Sequence, residues 1–400
     1  MTGVSSLRTM STRRLLVLIA AVLGAIAGGT AIATAGGDHP VPPPKPLAQA
    51  IHDAAAARAV DGITARIKFT NHLIDSSSLQ GSDPILGGAT GRLWIGAGHR
   101  LRLELQSDSG DAQIVSDGNT VTIYDATMDT VYRVDLPQDR TAATDHADKP
   151  PTLASIQADL SKLAEHWNLS GAEPTSQAGR RAYRVQISPK HDGGLLGAAQ
   201  LVADANTGVP LRAAVYATGN SSPVLELKVT DISYGKVDSS VFDVTPRAGA
   251  KVTDLTPKAK SVEEKGRPAH KAAPITGEAA VAGAVPFTLA APDKLVGLPR
   301  REVRLIQASD HPAALVTYGA GLGGIAVLQQ AADANGSAAP GKPKEGESGL
   351  SLPTVSINGA TGQELDTALG TMVRFTRGGV EYTVIGSVPP AAAEAAARGL

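Results

Sequence analysis

The sequence predicts an α+β fold dominated by antiparallel strands, on two observations. Apolar and polar side chains alternate over many short runs: Tyr183, Val185 and Ile187 against Ala182, Arg184 and Gln186, then Leu211, Ala213, Val215 and Ala217, then Leu225, Leu227 and Val229. One stretch switches to a spacing of three and four. From Thr152 to Trp167 a stripe of Leu153, Ile156, Leu160, Leu163 and Trp167 predicts a helix, with Pro150 and Pro151 before it and Gly171 after. A helix between two runs of strands has to bury that stripe, and the concave face of the sheet is the available partner. Half-buried strands look alike over an open trough and in a plain sandwich core, so the pattern leaves both open.

The elements follow in order. Arg8, Arg13 and Arg14 precede an uncharged run from Leu15 to Gly37, the pattern of an export signal with the N-terminus inside. Ala33-Thr34-Ala35 offers a cleavage site, while the run reaches the ~20 residues that span a bilayer, so a cleaved signal and a retained transmembrane helix remain alternatives. The Pro-rich stretch Val41 to Pro46 reads as an extended spacer, completing an N-terminal segment over 1–46. Leu47, Ile51, Ala55 and Val60 then suggest a short amphipathic helix. Strands are expected at Ile63 to Thr70 and Arg92 to Ile95. In the next, Leu101, Leu103 and Leu105 oppose Arg102, Glu104 and Gln106, and two more carry Val121 with Ile123 and Tyr132 with Val134. Asp117-Gly-Asn119 is a hairpin turn, and Asp204 to Gly208 turns the chain into the strand at Pro210.

These elements make a first domain over 47–253. From Asp254 the composition shifts to Lys, Glu, Pro and Ala, which predicts a linker over 254–285. A smaller α+β domain over 286–400 follows, with strands at Glu302 to Gln307, Ala313 to Tyr318 and Gly324 to Gln329. It closes on a hairpin of Met372 to Thr376 and Val380 to Ile385, then a helix from Pro389-Pro390 to Arg398.

Composition narrows the functions. A chain of 400 residues with net charge -1 lacks the basic surface a nucleic-acid partner requires. Without cysteine there is no disulfide, thiolate metal site or N-terminal acylation site, and aromatics at 3% supply few stacking platforms. Gly319-Ala-Gly321-Leu-Gly323-Gly324 matches a dinucleotide-binding fingerprint, but Ile325 to Leu328 favours a strand where that site needs a helix. A Gly-rich hairpin accounts for it better. Gly346-Glu-Ser348-Gly349 lacks the last glycine of a nucleophile elbow, and the nine histidines show no metal-ligand spacing. No enzyme, cofactor or metal is expected.

Several motifs carry a resemblance. Gly98-His-Arg-Leu-Arg102, Ser116-Asp-Gly-Asn119, and Tyr124-Asp125 followed by Thr130-Val-Tyr-Arg133 resemble the lipoprotein-carrier superfamily typified by LolA and the sigma-factor regulator RseB. Gly179-Arg180, Ser188-Pro-Lys190, Asp204, Gly208-Val-Pro-Leu-Arg212 and Phe242-Asp-Val-Thr-Pro246 are similar to its actinobacterial branch. The chain departs from the pattern at Leu103 and Ala126, where an aromatic residue and a proline are expected. The resemblance covers Leu47 to Val252 and implies an antiparallel β half-barrel with helices on its concave face. By it, that face binds acyl chains of a lipid or lipoprotein in an extracytoplasmic protein, secreted or on the cell membrane. The residues expected to line it are Leu101, Leu103, Leu105, Val121, Ile123, Ile156, Leu160, Leu163, Val185, Ile187 and Val215. The resemblance also implies that Arg102 bonds helix carbonyls and holds a lid, although an exposed strand arginine fits its position as well. The alternative is a membrane-tethered sensor whose partner is an anti-sigma factor or another envelope protein. The C-terminal region resembles a domain of unknown function often attached to such proteins.

Overall fold

Period-two runs become strands in two separate sheets. The computed structural model describes residues 41–74, 87–108, 110–125, 130–136, 151–191, 193–243, 249–254, 275–308, 311–332 and 352–400. The uncharged run from Leu15, most of the linker and the Gly346 to Gly349 motif therefore lie outside the described residues.

The first sheet is built from two meanders. One runs through β1 (Gly62–Asn71), β2 (Ala89–Gly96), β3 (Arg100–Ser107), β4 (Gly110–Ser116), β5 (Thr120–Asp125) and β6 (Thr130–Asp135). The other comprises β7 (Trp167–Leu169), β8 (Glu173–Gln177), β9 (Arg180–Pro189), β10 (Leu196–Asp204), β11 (Pro210–Ala217) and β12 (Leu225–Tyr234). They join where β1 pairs antiparallel with β12, and β13 (Lys251–Asp254) adds parallel to β6 at the far edge. The sheet curls. Beyond Lys228 strand β11 no longer pairs with β12; there Gln177 and Arg180, beside the β8–β9 turn, donate to the carbonyls of Val229 and Ile232 at 2.7 and 3.3 Å. Ile63, Ala65, Ile67, Leu105, Leu211 and Val229 share one buried cluster.

Two turns show how local chemistry sets this path. At Asp117 the carboxylate accepts from the backbone N–H of Asn119 and Thr120 at 2.7 and 2.8 Å, and these bonds hold its pKa below the usual carboxylate value. The Asp204 carboxylate accepts from the backbone N–H groups of Asn206 and Thr207, so the chain reverses into β11.

Helix α1 (Leu47–Ala56) is fixed by Lys45, whose Nζ lies 2.7 Å from Asp53 and above the Tyr183 ring. The Tyr183 hydroxyl in turn donates to the Pro43 carbonyl at 2.7 Å. Helix α2 (Leu153–Leu163) packs against α1; Thr152 caps it by accepting from the Ser155 N–H. It is shorter than the Thr152 to Trp167 stripe predicts. Trp167 leaves the helix to pair with Pro189 as the first residue of β7, because the edge of β9 offers a full ladder of backbone partners. Lys190, just past β9, completes the stop by donating its Nζ to the Ala164 carbonyl.

The second sheet has the order β14 (Lys294–Leu295), β15 (Leu298–Ala308), β16 (His311–Tyr318), β17 (Ile325–Ala331), β21 (Val380–Gly386), β20 (Gly370–Arg377), β19 (Ala360–Thr367) and β18 (Thr354–Ile357). The Gly319 to Gly324 segment is the hairpin between β16 and β17, which removes the dinucleotide reading. Helix α3 (Glu278–Ala282), in a stretch whose composition predicts linker, buries Val281 completely, and α4 (Pro390–Arg398) buries Ala393, Ala396 and Ala397. Two backbone hydrogen bonds tie the sheets together: Leu195 N–H to the Ser387 carbonyl at 3.1 Å and Ala368 N–H to the Leu73 carbonyl at 2.8 Å.

Glu364 on β19 is half-buried, with its Oε2 shielded from solvent and unpaired among the described residues. Burial, and then the charges of Glu394 and Asp366, raise its pKa, while Arg398 pulls the other way. A raised folded-state pKa contributes stability that is present below the ordinary value of 4.5 and lost as pH rises through the folded value. Glu364→Gln is therefore expected to stabilise this sheet at neutral pH and to flatten its pH dependence above 4.5, measured by urea titration across pH.

A candidate apolar binding face

Directly paired residues lie on the same side of a sheet, so the register assigns every side chain to a face. From Ile63, Ala65 and Ile67 of β1, the row passes to Ile95, Leu93 and Gly91 of β2 and to Leu101, Leu103 and Leu105 of β3. It continues through Ser116, Ile114 and Ala112 to Val121 and Ile123. In the other direction Leu227 and Leu225 face Ala213 and Val215, which face Leu201 and Ala199, which face Val185 and Ile187. All eight expected strand residues, Leu101, Leu103, Leu105, Val121, Ile123, Val185, Ile187 and Val215, thus share one face. Leu105 is buried at 6% exposure, and the other seven are half-buried.

The three helical residues divide. Ile156 is buried, Leu160 is half-buried, and Leu163 is exposed, as is Leu153. The stripe of α2 is therefore incompletely covered. Ile114 belongs to the same face and was not singled out from the sequence, because Ile114 and Val115 stand side by side and hide the alternation. Val115 points to the opposite side, where it packs with Val237, Phe242, Trp94 and Val241.

Arg102 also lies on that opposite side. Its Nη1 donates to the Val241 carbonyl at 2.8 Å, its guanidinium pairs with Glu104 at 2.7 Å, and it stands over the Trp94 ring. The helical carbonyl it holds thus belongs to the 3-10 turn Ser239–Phe242, on the outer face, and not to α2. An outer cleft of about 380 Å³ nearby is lined by Val115, Asp117, Thr120, Thr122, Arg133, Phe242 and Asp243. A second, of about 220 Å³, has Glu104, Leu105, Gln106, Asp111, Ala112, Gln113 and Tyr124 as its walls. Among the described residues no three His, Asp or Glu side chains gather as a metal site, and no helix is long and apolar enough to cross a membrane.

The chain is similar to a solved complex of MucA and MucB from Pseudomonas aeruginosa, at 16% identity over 88% of this chain and 94% of that one, with a TM-score of 0.39. It is also similar to a LolA superfamily protein from Nitrosomonas europaea, at 9% identity over 50% of this chain and 98% of that one, with a TM-score of 0.23. No curated protein sequence matches. Residues 64–161 match the model of a family described as a predicted periplasmic protein (DUF2092).

Proposed function

We propose that the chain is an extracytoplasmic, non-enzymatic binding protein whose concave apolar face holds acyl chains of a lipid or lipoprotein. The observation that carries this reading is the row of eight apolar side chains on one face of a curled sheet, seven of them half-buried. A face that served only as core would close over such side chains, since packing density in protein interiors leaves few gaps. Each CH₂ buried there contributes about 0.8 kcal/mol, so one long acyl chain offsets the cost of association. The periplasmic description of the family matched over 64–161 supports placement in the envelope.

The full chain, purified without detergent, is expected to carry lipid in native mass spectrometry and to give saturable displacement of an acyl fluorophore. Leu160→Ala is expected to weaken probe binding severalfold with a smaller loss of stability in urea than Leu227→Ala, whose side chain packs on the buried cluster. A lipid-free chain with no saturable probe binding would overturn the reading. So would a Leu160→Ala variant that unfolds as readily as Leu227→Ala and binds the probe unchanged.

A further inference from the structure

The outer face of the first sheet carries an arrangement that costs stability. Lys68 on β1 lies directly opposite Lys228 on β12, and Arg66 on β1 lies directly opposite Arg92 on β2. Like charges in paired positions destabilise a sheet. On either side, the cations of this face are neutralised: Arg212 pairs with Glu226 at 2.5 Å and Arg102 with Glu104 at 2.7 Å. The four central cations have no side-chain hydrogen bond or ion pair among the described residues; the acids in register with them are Asp231, opposite Arg66, and Glu104, opposite Arg92, whose carboxylate pairs instead with Arg102. Arg66, Lys68 and Arg92 are exposed, and Lys228 is half-buried. In a chain of net charge -1 this is a local concentration of positive charge.

We propose that this outer face docks on an anionic lipid bilayer through Arg66, Lys68, Arg92 and Lys228. Two observations favour a lipid surface over an acidic protein. Beside the four cations on this face stand Thr64, Thr70 and Thr90, while the aromatic opposite Thr64, Trp94, is half-buried against Val115, Val237 and Phe242 with the Arg102 guanidinium over its ring, so the patch offers no free anchor of the kind on which protein interfaces depend. The patch also lies on the outer side of a curled sheet, where it meets a broad surface and not a segment in a groove. Diffuse attraction between basic side chains and anionic headgroups needs neither anchor nor groove. This docking is independent of what the concave face binds.

The test uses the full chain and vesicles of phosphatidylcholine, alone or with phosphatidylglycerol. Sedimentation should show stronger binding to the anionic vesicles, declining with salt. Each cation removed is expected to lower that binding about fivefold, so a variant combining Arg66→Gln, Lys68→Gln, Arg92→Gln and Lys228→Gln loses about a hundredfold or more. Lys294→Gln with Arg301→Gln, exposed cations of the second sheet, should leave it unchanged. The fourfold variant removes both like-charge oppositions, so its Tm at low salt should match or exceed that of the parent, which keeps misfolding apart from lost docking. The proposal is overturned if the fourfold variant binds anionic vesicles as the parent does, or if Arg8→Gln with Arg13→Gln and Arg14→Gln abolishes the effect of phosphatidylglycerol. It is equally overturned if soluble polyglutamate binds the parent as tightly as the vesicles do, which would assign the patch to an acidic polypeptide.

Discussion

Asp204→Ala is expected to destabilise the first sheet by about 4 kcal/mol, since three hydrogen bonds converge on that buried carboxylate. Its Oδ1 accepts from the N–H groups of Asn206 and Thr207 at 2.8 and 3.1 Å, and its Oδ2 from the Tyr234 hydroxyl at 2.9 Å. The side chain is 4% exposed, so water cannot readily replace it. Removing it frees two turn N–H groups and leaves the Tyr234 hydroxyl, whose pKa burial and the neighbouring carboxylate push upward, with only Thr207 at 3.3 Å. Asp204→Asn keeps an acceptor for the turn and is expected to cost less than half as much. Urea unfolding of both variants checks this, and equal losses would show that charge, and not the acceptor, is what the turn requires.

Gly91→Ala is expected to cost about 3 kcal/mol, from a single added methyl group. A Cβ at Gly91 would lie 1.9 Å from the Glu104 carbonyl oxygen and 3.0 Å from its carbon, so backbone and not a flexible side chain stands in the way. Strands β2 and β3 would have to separate in the middle of the apolar face, where Leu105 now fills the space above Gly91. Gly171→Ala, the same change with no atom within 4 Å, provides the comparison and is expected to shift the urea midpoint little. If the two variants unfold together, β2 and β3 are less tightly joined than their register indicates.

Much of this architecture was legible in the sequence, because alternation reports directly on a sheet with one buried face. Leu101, Leu103 and Leu105, or Leu225 and Leu227, reveal their face without knowledge of their neighbours. Which strands adjoin was not legible from alternation: the β1–β12 pairing depends on long-range register that no local pattern encodes. Trp167 misled for a related reason. Its spacing fits the helical stripe, but the backbone partners waiting on β9 are invisible until the chain is folded. β18 and β19 were missed because Gly362, Glu364 and Asp366 interrupt the apolar pattern of β19. The four outer cations could be read as residues but not as a patch, since only the pairing of Lys68 with Lys228 and Arg66 with Arg92 makes them neighbours.

The β1–β12 junction also governs the order of assembly. Each meander can form from neighbouring segments, yet β1 gains its second partner only when β12 has been synthesised. Closing so long a loop slows folding more than it weakens the folded state. A nascent chain that has not reached Leu225 presents β1 as an open edge with Ile63, Ala65 and Ile67 bare, the kind of edge that recruits other chains. A chain ending in the second meander before β12 would therefore be more prone to aggregate than one ending beyond Tyr234, although the two differ by only one strand.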